Sequence, residues 1–401
     1  MKKHMKLVWE YYRGSVPSLL IIMIIMTFAI YTFVNVLGIN NYIGYAKKVY
    51  MSSSLENALY YIPAKNDDYY MLSAEEQQAQ DAIVKKQLLA IDGVEGLCVN
   101  RVLTGLYQDK FVNFILYDEE MISRFKLDMS SGEWISPTFT DECVVGGSMF
   151  ENTEIGESVV CTLGNGTLTV TAAGKMAYPA YIPQMLGGDS ADRLFKCYDN
   201  VIMMYDSSFL REQLNSLGVY VTEYENYFVL LESDISDANR NAVTELLNNT
   251  GRYYTYDDII ENTNEVNSYR VKTKLPFPLY AFIISTVAAF SLSLLMTEKK
   301  LEEYSIYYIV GCSKKKSICI IATALLIIAA VPCLLNILNI LVDPYMFRTD
   351  DGRIYKDNCY IDSSMIIPIL IYMSGMIILT VVVALFTYIK KSPMEIRRRT
   401  E

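Results

Sequence analysis

Four stretches of the chain carry no charge and hardly a polar residue: Ser18 to Leu37, Phe277 to Met296, Ile318 to Leu341 and Ser364 to Tyr388, of 20, 20, 24 and 25 residues. About 20 apolar residues span the hydrocarbon core of a bilayer, so each run predicts a transmembrane helix. The first is preceded by Lys2, Lys3, Lys6 and Arg13, as a signal peptide would be. It is longer than the apolar core of such a peptide, roughly 7 to 15 residues, and no small-x-small cleavage site follows, so it reads as a retained span.

Between the first two spans the pattern changes from continuous to periodic. "SLENALYYIPAKNDDYY" reads as a helix continuing out of the membrane and ending near Pro63. Ser73 followed by Glu76 forms a capping box, and Ile83, Val84, Gln87 and Leu88 keep helical spacing up to Gly93. Residues 111–117, 142–147, 157–163, 167–174 and 227–233 are short, rich in β-branched and aromatic residues and bounded by turn formers, which predicts strands. Asn165-Gly166 marks a tight hairpin, and "SDANRNAVTELLNN" a second helix. The excursion is thus a mixed α+β domain of two lobes with a β-rich insert near residues 125–180.

Charge orients the chain. Residues 1–17, 297–317 and 389–401 together hold 14 basic and 6 acidic residues, whereas residues 40–275 hold 18 basic and 34 acidic. Basic loops stay in the cytoplasm, so both termini are expected inside and the large domain outside. The expectation is an α-helical membrane protein with four transmembrane helices and a large mixed α+β extracytoplasmic domain between spans 1 and 2. Its parts are a cytoplasmic N-terminal amphipathic segment (1–17), span 1 (18–37), the outer domain (38–275) with helical stalk segments 38–61 and 262–275, span 2 (277–296), a cytoplasmic helix (297–317), span 3 (318–341), an extracellular loop (342–363), span 4 (364–388) and a cytoplasmic tail (389–401).

Candidate chemistry is sparse. The one histidine, His4, is cytoplasmic, which excludes Ser-His-Asp, Cys-His and HExxH mechanisms outside. The acidic residues form no motif that separates a carboxylate pair from a solvated surface. "GNGTLTVTAAGK" has the wrong spacing for a phosphate-binding P-loop. No CxxC pair occurs among the eight cysteines; Cys98, Cys143, Cys161, Cys197 and Cys359 would lie outside, where disulfides and free thiols are both open. The spans hold no ionisable residue, and Asn35, Asn336 and Asn339 suit helix packing. Pro332 and Pro368 read as helix kinks. The tyrosine clusters "ALYYIP", "DDYYML", "EYENYF" and "GRYYTYDD" read either as packing residues or as aromatic surface for a cationic amphipathic peptide.

Between spans 2 and 3, "TEKKLEEYSIYYIVGCSKKK" places Leu301, Tyr304, Ser305 and Tyr308 on one helical face. Gly311 is placed to end that helix, with Lys314, Lys315 and Lys316 at the lip of the next span. An interfacial anchor is one reading of such a strip. The stretch also resembles the cytoplasmic segment of FtsX/MacB-like ABC transporter permeases, at Glu298, Glu303, Ile306, Gly311, Cys312, Ser313 and Lys314. It departs from that pattern at Lys299 and Lys300, where arginines are usual, and at Tyr307 and Tyr308. The tail "KSPMEIRRRTE" is similar to that family's ending at Pro393, Glu395, Ile396 and Arg397, and residues 126–183 resemble a MacB-type extracytoplasmic core domain.

The resemblance implies a non-catalytic permease subunit with no cofactor of its own, in a bacterial cell membrane; ATP and Mg would be bound by a separate ABC ATPase. Glu298, Leu301, Glu303, Tyr304, Ile306, Tyr307, Tyr308, Gly311, Ser313 and Lys314 would form the coupling helix that docks on that ATPase. The implied partners are the ATPase, a second copy or a paralogous permease, membrane lipid, and an extracellular peptide or accessory protein, but no nucleic acid. The implied work is mechanotransmission that exports or expels a peptide or amphiphile. Regulation of a cell-wall hydrolase, as by FtsX, and peptide sensing are the alternatives.

Overall fold

The computed structural model describes Val8, Tyr12, Tyr69 and residues 16–65, 71–72, 74–177, 180–183, 187–198, 200–219, 222–223, 226–309, 313–342 and 365–390. In chain order the elements are α1 (Val16–Ser52), β1 (Ala58–Pro63), α2 (Ala74–Leu89), β2 (Val94–Cys98), β3 (Arg101–Tyr107), β4 (Lys110–Tyr117), α3 (Glu119–Arg124), β5 (Met129–Gly132), β6 (Glu142–Gly147), β7 (Ser158–Leu163) and β8 (Gly166–Met176). There follow β9 (Tyr181–Pro183), α4 (Ala191–Leu194), β10 (Phe195–Cys197), β11 (Asn200–Tyr205), α5 (Ser208–Ser216), β12 (Thr222–Glu223), β13 (Tyr227–Leu231), α6 (Asp237–Thr250), β14 (Gly251–Tyr254), α7 (Tyr256–Lys274), α8 (Pro276–Ile309), α9 (Lys314–Val342) and α10 (Ile366–Lys390). The described residues fall into two compact units, one drawn from those up to Asn41 and from Ser268 onward, the other from Tyr42–Asn267.

Among the described residues three helical stretches are long and apolar enough to cross a membrane: α1, Tyr256–Leu292 across α7 and α8, and Ile318–Leu338 of α9. The fourth expected span falls on α10, whose apolar described part, Ile366–Leu379, is shorter. In this unit Met26, Ala29 and Ile30 of α1, Ile321, Ala324 and Leu325 of α9 and Met376 of α10 form one buried cluster, while Leu20, Ile24, Ile283, Ile284, Leu335 and Ile371 are exposed. Asn336 packs the helices as its type predicts, its Nδ2 donating to Thr27 O (3.2 Å) on α1 and to Pro332 O (2.9 Å). The Tyr372 hydroxyl lies 2.9 Å from Pro278 O and 3.3 Å from Ala29 O, with its ring stacked on Phe33. Pro332 lies inside α9, but Pro368 falls in the first turn of α10, where its missing N–H interrupts no hydrogen bond. The tail matches at Pro393, Glu395, Ile396 and Arg397, the loop 343–363 and the capping Ser73 lie outside the described residues.

The second unit is a mixed α/β domain of two lobes. The first is a four-stranded sheet of order β14-β1-β13-β2, all antiparallel pairs. Because α2 links β1 to β2 and α6 links β13 to β14, this is the βαββαβ ferredoxin-like arrangement. Leu59, Tyr61, Val229 and Leu231 on one sheet face pack with Leu88 of α2 and Val243 and Leu247 of α6.

The second lobe is the chain between β2 and β13. Its strands close on themselves in the ring β3-β4-β11-β6-β8-β7, the last joining β3 again at Leu106↔Thr162. Alternate residues fill the ring: Val112, Phe114 and Leu116, Ile202 and Met204, Cys143 and Val145, Val159, Cys161 and Leu163, Leu168, Val170 and Ala172. Closure leaves no free edge in the ring, which removes a row of unpaired backbone groups. Gly105 sits at the seam, where a Cβ would lie 2.8 Å from Leu163 Cδ2 and 2.9 Å from Thr162 O.

Several expectations are corrected here. Residues 54–63 do not form a helix: α1 ends at Ser52, and "ALYYIP" is strand β1, so the first stalk segment stops well before residue 61. The Ser52 and Ser53 hydroxyls turn back to Val49 O (2.9 Å) and Tyr50 O (2.5 Å), giving the helix end competing partners. The second stalk segment, 262–275, is helical through Lys274. The β-rich insert runs from Arg101 to Glu223, not merely from 125 to 180. The two-residue hairpin loop is Gly164-Asn165, one residue earlier than expected, because Leu163 pairs with Gly166 and Gly164 supplies the positive φ of 54°.

Candidate coupling segment and the polar clusters

Glu298, Leu301, Glu303, Tyr304, Ile306, Tyr307 and Tyr308 all lie on α8, which runs unbroken from Pro276 to Ile309. The strip is helical, but it is not set off from span 2 as a separate surface helix. Residues 295–303, "LMTEKKLEE", contain neither Gly nor Pro and are almost all good helix formers, so nothing stops the span helix at the end of its apolar run. The side chains of these seven residues, and Gly311 entirely, lie outside the described residues. Ser313 is exposed and precedes α9, whose first residue is Lys314; the Lys316 N–H donates to Ser313 O at 2.9 Å. The four residues 310–313 therefore connect the strip to the next span helix.

In the second unit two clusters of polar side chains stand out that the sequence did not single out. Asp206, at the end of β11, has a fully buried carboxylate. It accepts from Arg211 Nε (2.6 Å) and Nη2 (2.7 Å) on α5 and forms an ion pair with Arg101 at the start of β3. Its own N–H donates to Tyr117 O (2.8 Å) at the end of β4, so one aspartate ties three strand ends and a helix. Nearby, Asp118 caps α3, its Oδ1 accepting the Met121 N–H at 2.8 Å. Burial pushes its pKa up to about 6; the Met121 N–H and the Arg101 charge oppose that shift, and the charges of Glu120 and Asp206 add to it. Both carboxylates are held by backbone or guanidinium donors, an arrangement that fixes strand ends.

The second cluster joins the loop after β1 to α2. Lys65 Nζ lies 2.9 Å from both Asp81 oxygens and 3.7 Å from the centre of the Tyr69 ring, and Tyr69 OH donates to Asp81 Oδ2 at 2.9 Å. The Lys65 side chain is almost wholly buried, and a buried ammonium needs such a set of partners.

Three cysteines and several tyrosines of this unit are interior residues. Cys98, Cys143 and Cys161 are buried free thiols, and burial pushes the pKa of each up, which disfavours the reactive thiolate. Tyr60, Tyr61, Tyr69 and Tyr227, from three of the four tyrosine clusters, are buried, so these rings pack the domain. Among the described residues no group of three or more His, Cys, Asp or Glu is placed to hold a metal ion.

No protein-family model matches the chain, and neither does any curated protein. Among solved structures the chain is similar to the periplasmic region of MacB from Actinobacillus actinomycetemcomitans, at 11% identity and a TM-score of 0.32, over 52% of this chain and 92% of that one. It is also similar to the extracellular domain of the noncanonic ABC-type transporter YknZ from Gram-positive bacteria, at 19% identity and a TM-score of 0.27, over 48% of this chain and 92% of that one. At these scores neither likeness carries weight for the fold or the activity of this chain.

Proposed function

We propose that the chain is the permease subunit of an ABC transporter complex, a four-span protein that a separate ATPase subunit drives from the cytoplasmic side. The observation that carries this reading is the strip from Glu298 to Ile309: a charged, tyrosine-bearing helix between two apolar stretches, followed in sequence by Gly311-Cys312-Ser313-Lys314. Aromatic side chains such as Tyr304, Tyr307 and Tyr308 would fill a groove on the partner, with the charges setting register. Because the strip is one helix with span 2, a push on it would be delivered along that helix without a joint. Span helices without ionisable residues favour mechanotransmission to the outer domain over passage of a solute through the bilayer. The work done outside would be expulsion of a peptide or amphiphile, or control of a cell-wall hydrolase; a co-purifying extracellular partner distinguishes them.

The experiment is affinity purification of the tagged full-length chain in mild detergent, with mass spectrometry of what accompanies it. Recovery of a P-loop ATPase is expected, and Glu303→Ala with Tyr307→Ala should abolish it while the chain still folds. Recovery of the chain alone, or of the ATPase with the double variant as well, overturns the coupling assignment.

A further inference from the structure

The hairpin of β9 and β10 joins neither of the larger sheets. A free-standing pair of three-residue strands has too little surface to be stable alone, yet Tyr181, Ile182 and Phe195 are each 1% exposed or less. Part of their cover is the outward extension of α1. The Tyr181 ring meets Tyr42 and Tyr45 at centroid distances of 5.0 and 5.1 Å, the Tyr42 hydroxyl donates to Phe195 O at 3.4 Å, and Tyr50 meets Phe195 edge-on at 5.9 Å. Helix α7 joins the same assembly. Tyr256 stacks on Tyr50 at 5.1 Å, Thr263 Oγ1 accepts the Ala191 N–H of α4 at 2.8 Å, and Lys47 Nζ donates to Asn264 Oδ1 at 2.7 Å. From Phe195 the contacts continue inward. Phe125 lies 5.8 Å from both Phe195 and Phe228, and Phe228 lies 5.0 Å from Tyr60, across β13 and β1 of the four-stranded sheet.

We propose that this hairpin is a coupling bracket: it fastens residues 42–50 of α1 and 256–263 of α7 to each other and to the four-stranded sheet, so that helices and sheet open as one body. Offset and edge-on ring pairs have preferred geometries and sit in an interior packed like a crystal, so a chain of them resists hinge motion. The covalent link agrees, since only residues 53–57 separate α1 from β1, with Leu55 buried and the Ala58 N–H donating to Leu55 O at 2.9 Å. That the bracket receives motion from the membrane rests on the permease reading; the fastening itself does not, and its test needs no partner protein.

The test is hydrogen exchange read by mass spectrometry on the full-length chain in lipid nanodiscs. In the unsubstituted chain, amides of residues 43–52 and 259–263 should open with the same free energy as those of β1 and β13. In Phe195→Ala the two helix segments and the hairpin should exchange about tenfold or more faster than β1 and β13, whose rates stay. If the helix segments still track the sheet in the variant, the bracket is unnecessary and the proposal fails. It fails equally if β7 and β8 accelerate as much as the helices, since that is general destabilisation. Should Phe195→Ala not fold, Tyr181→Leu is read against the same two outcomes. Loss of the bracket leaves recovery of an ATPase unchanged, so failure of one proposal does not imply failure of the other.

Discussion

Replacing Asp118 by Asn should stabilise the two-lobed domain at pH 8 and leave it unchanged or slightly weaker near pH 4. Asp118 caps α3 through Met121 N–H, and Asn is as good a cap, so the hydrogen bond survives. What changes is the charge. Burial raises the carboxyl pKa to about 6 from an unfolded value near 4. For an acid shifted upward the folded state binds its proton more tightly than the unfolded chain. The stabilisation is therefore complete below about pH 4 and is lost as pH rises through about 6. Two units correspond to about 3 kcal/mol at most; the carboxyl is partly open to solvent and Arg101 attracts the charge, so about 1–2 kcal/mol is the realistic gain for Asn at pH 8. For a domain of this size that is a rise in Tm of roughly 2–8 °C. Thermal melting of the full-length protein and of Asp118→Asn in the same detergent, at pH 4.5 and pH 8, reads it directly. A difference in Tm that is the same at both pH values, or an Asn variant less stable at pH 8, would refute the assignment of a destabilising buried charge.

Two further outcomes follow from the same lobe. Asp206→Ala removes the carboxylate on which Arg101 and Arg211 converge and should cost about 3 kcal/mol, the lower end for a broken buried pair because both guanidiniums reach solvent; a melting shift of only 1–2 °C would show that the hub contributes little. The β3–β4 turn places Gln108 and Asp109 at φ values of 51° and 62°, a conformation suited to Asn-Gly, so Gln108→Asn with Asp109→Gly should add about 1 kcal/mol in a urea titration. A lower midpoint for that double variant would mean the turn is held by contacts its backbone angles do not reveal.

How much of this was legible depends on whether a segment's burial is one-sided. Strands β7 and β8 show clean periodicity because one face meets the core and the other water; β7 alternates exposed and buried along its whole length, whereas in α2 Leu88 is buried but Ile83 and Leu89 are exposed. Strand β1 does not alternate, since its sheet meets α2 and α6 on one face and the Phe228–Phe125 contacts on the other, and "ALYYIP" reads as an unbroken run that periodicity cannot assign. Strands β3 and β11 were hidden for related reasons. Gly105 at the barrel seam interrupts the pattern of "RVLTGLY", and "NVIMMY" is buried on both sides at Val201 to Met204. The two-lobe plan was readable from the alternation of helix and strand signals, whereas the closure of the barrel depends on β3 meeting β7 over 50 residues later, a pairing with no local signature.

The candidate coupling strip shows the opposite limit. Its helix was legible from spacing, and the residue types named its chemistry, but its independence from span 2 was inferred from the change from apolar to charged residues at Thr297 and Glu298. That change marks where the environment alters, not where the backbone must break, because Glu and Lys extend a helix as readily as Leu and Met. The same distinction governs the start of the two-lobed domain, where the serines at 52–54, more than any change in hydrophobicity, mark the end of α1. Helix ends in this chain follow capping and competing hydrogen bonds, and bilayer edges follow charge; reading one from the other displaced the strip's start and the stalk's end alike.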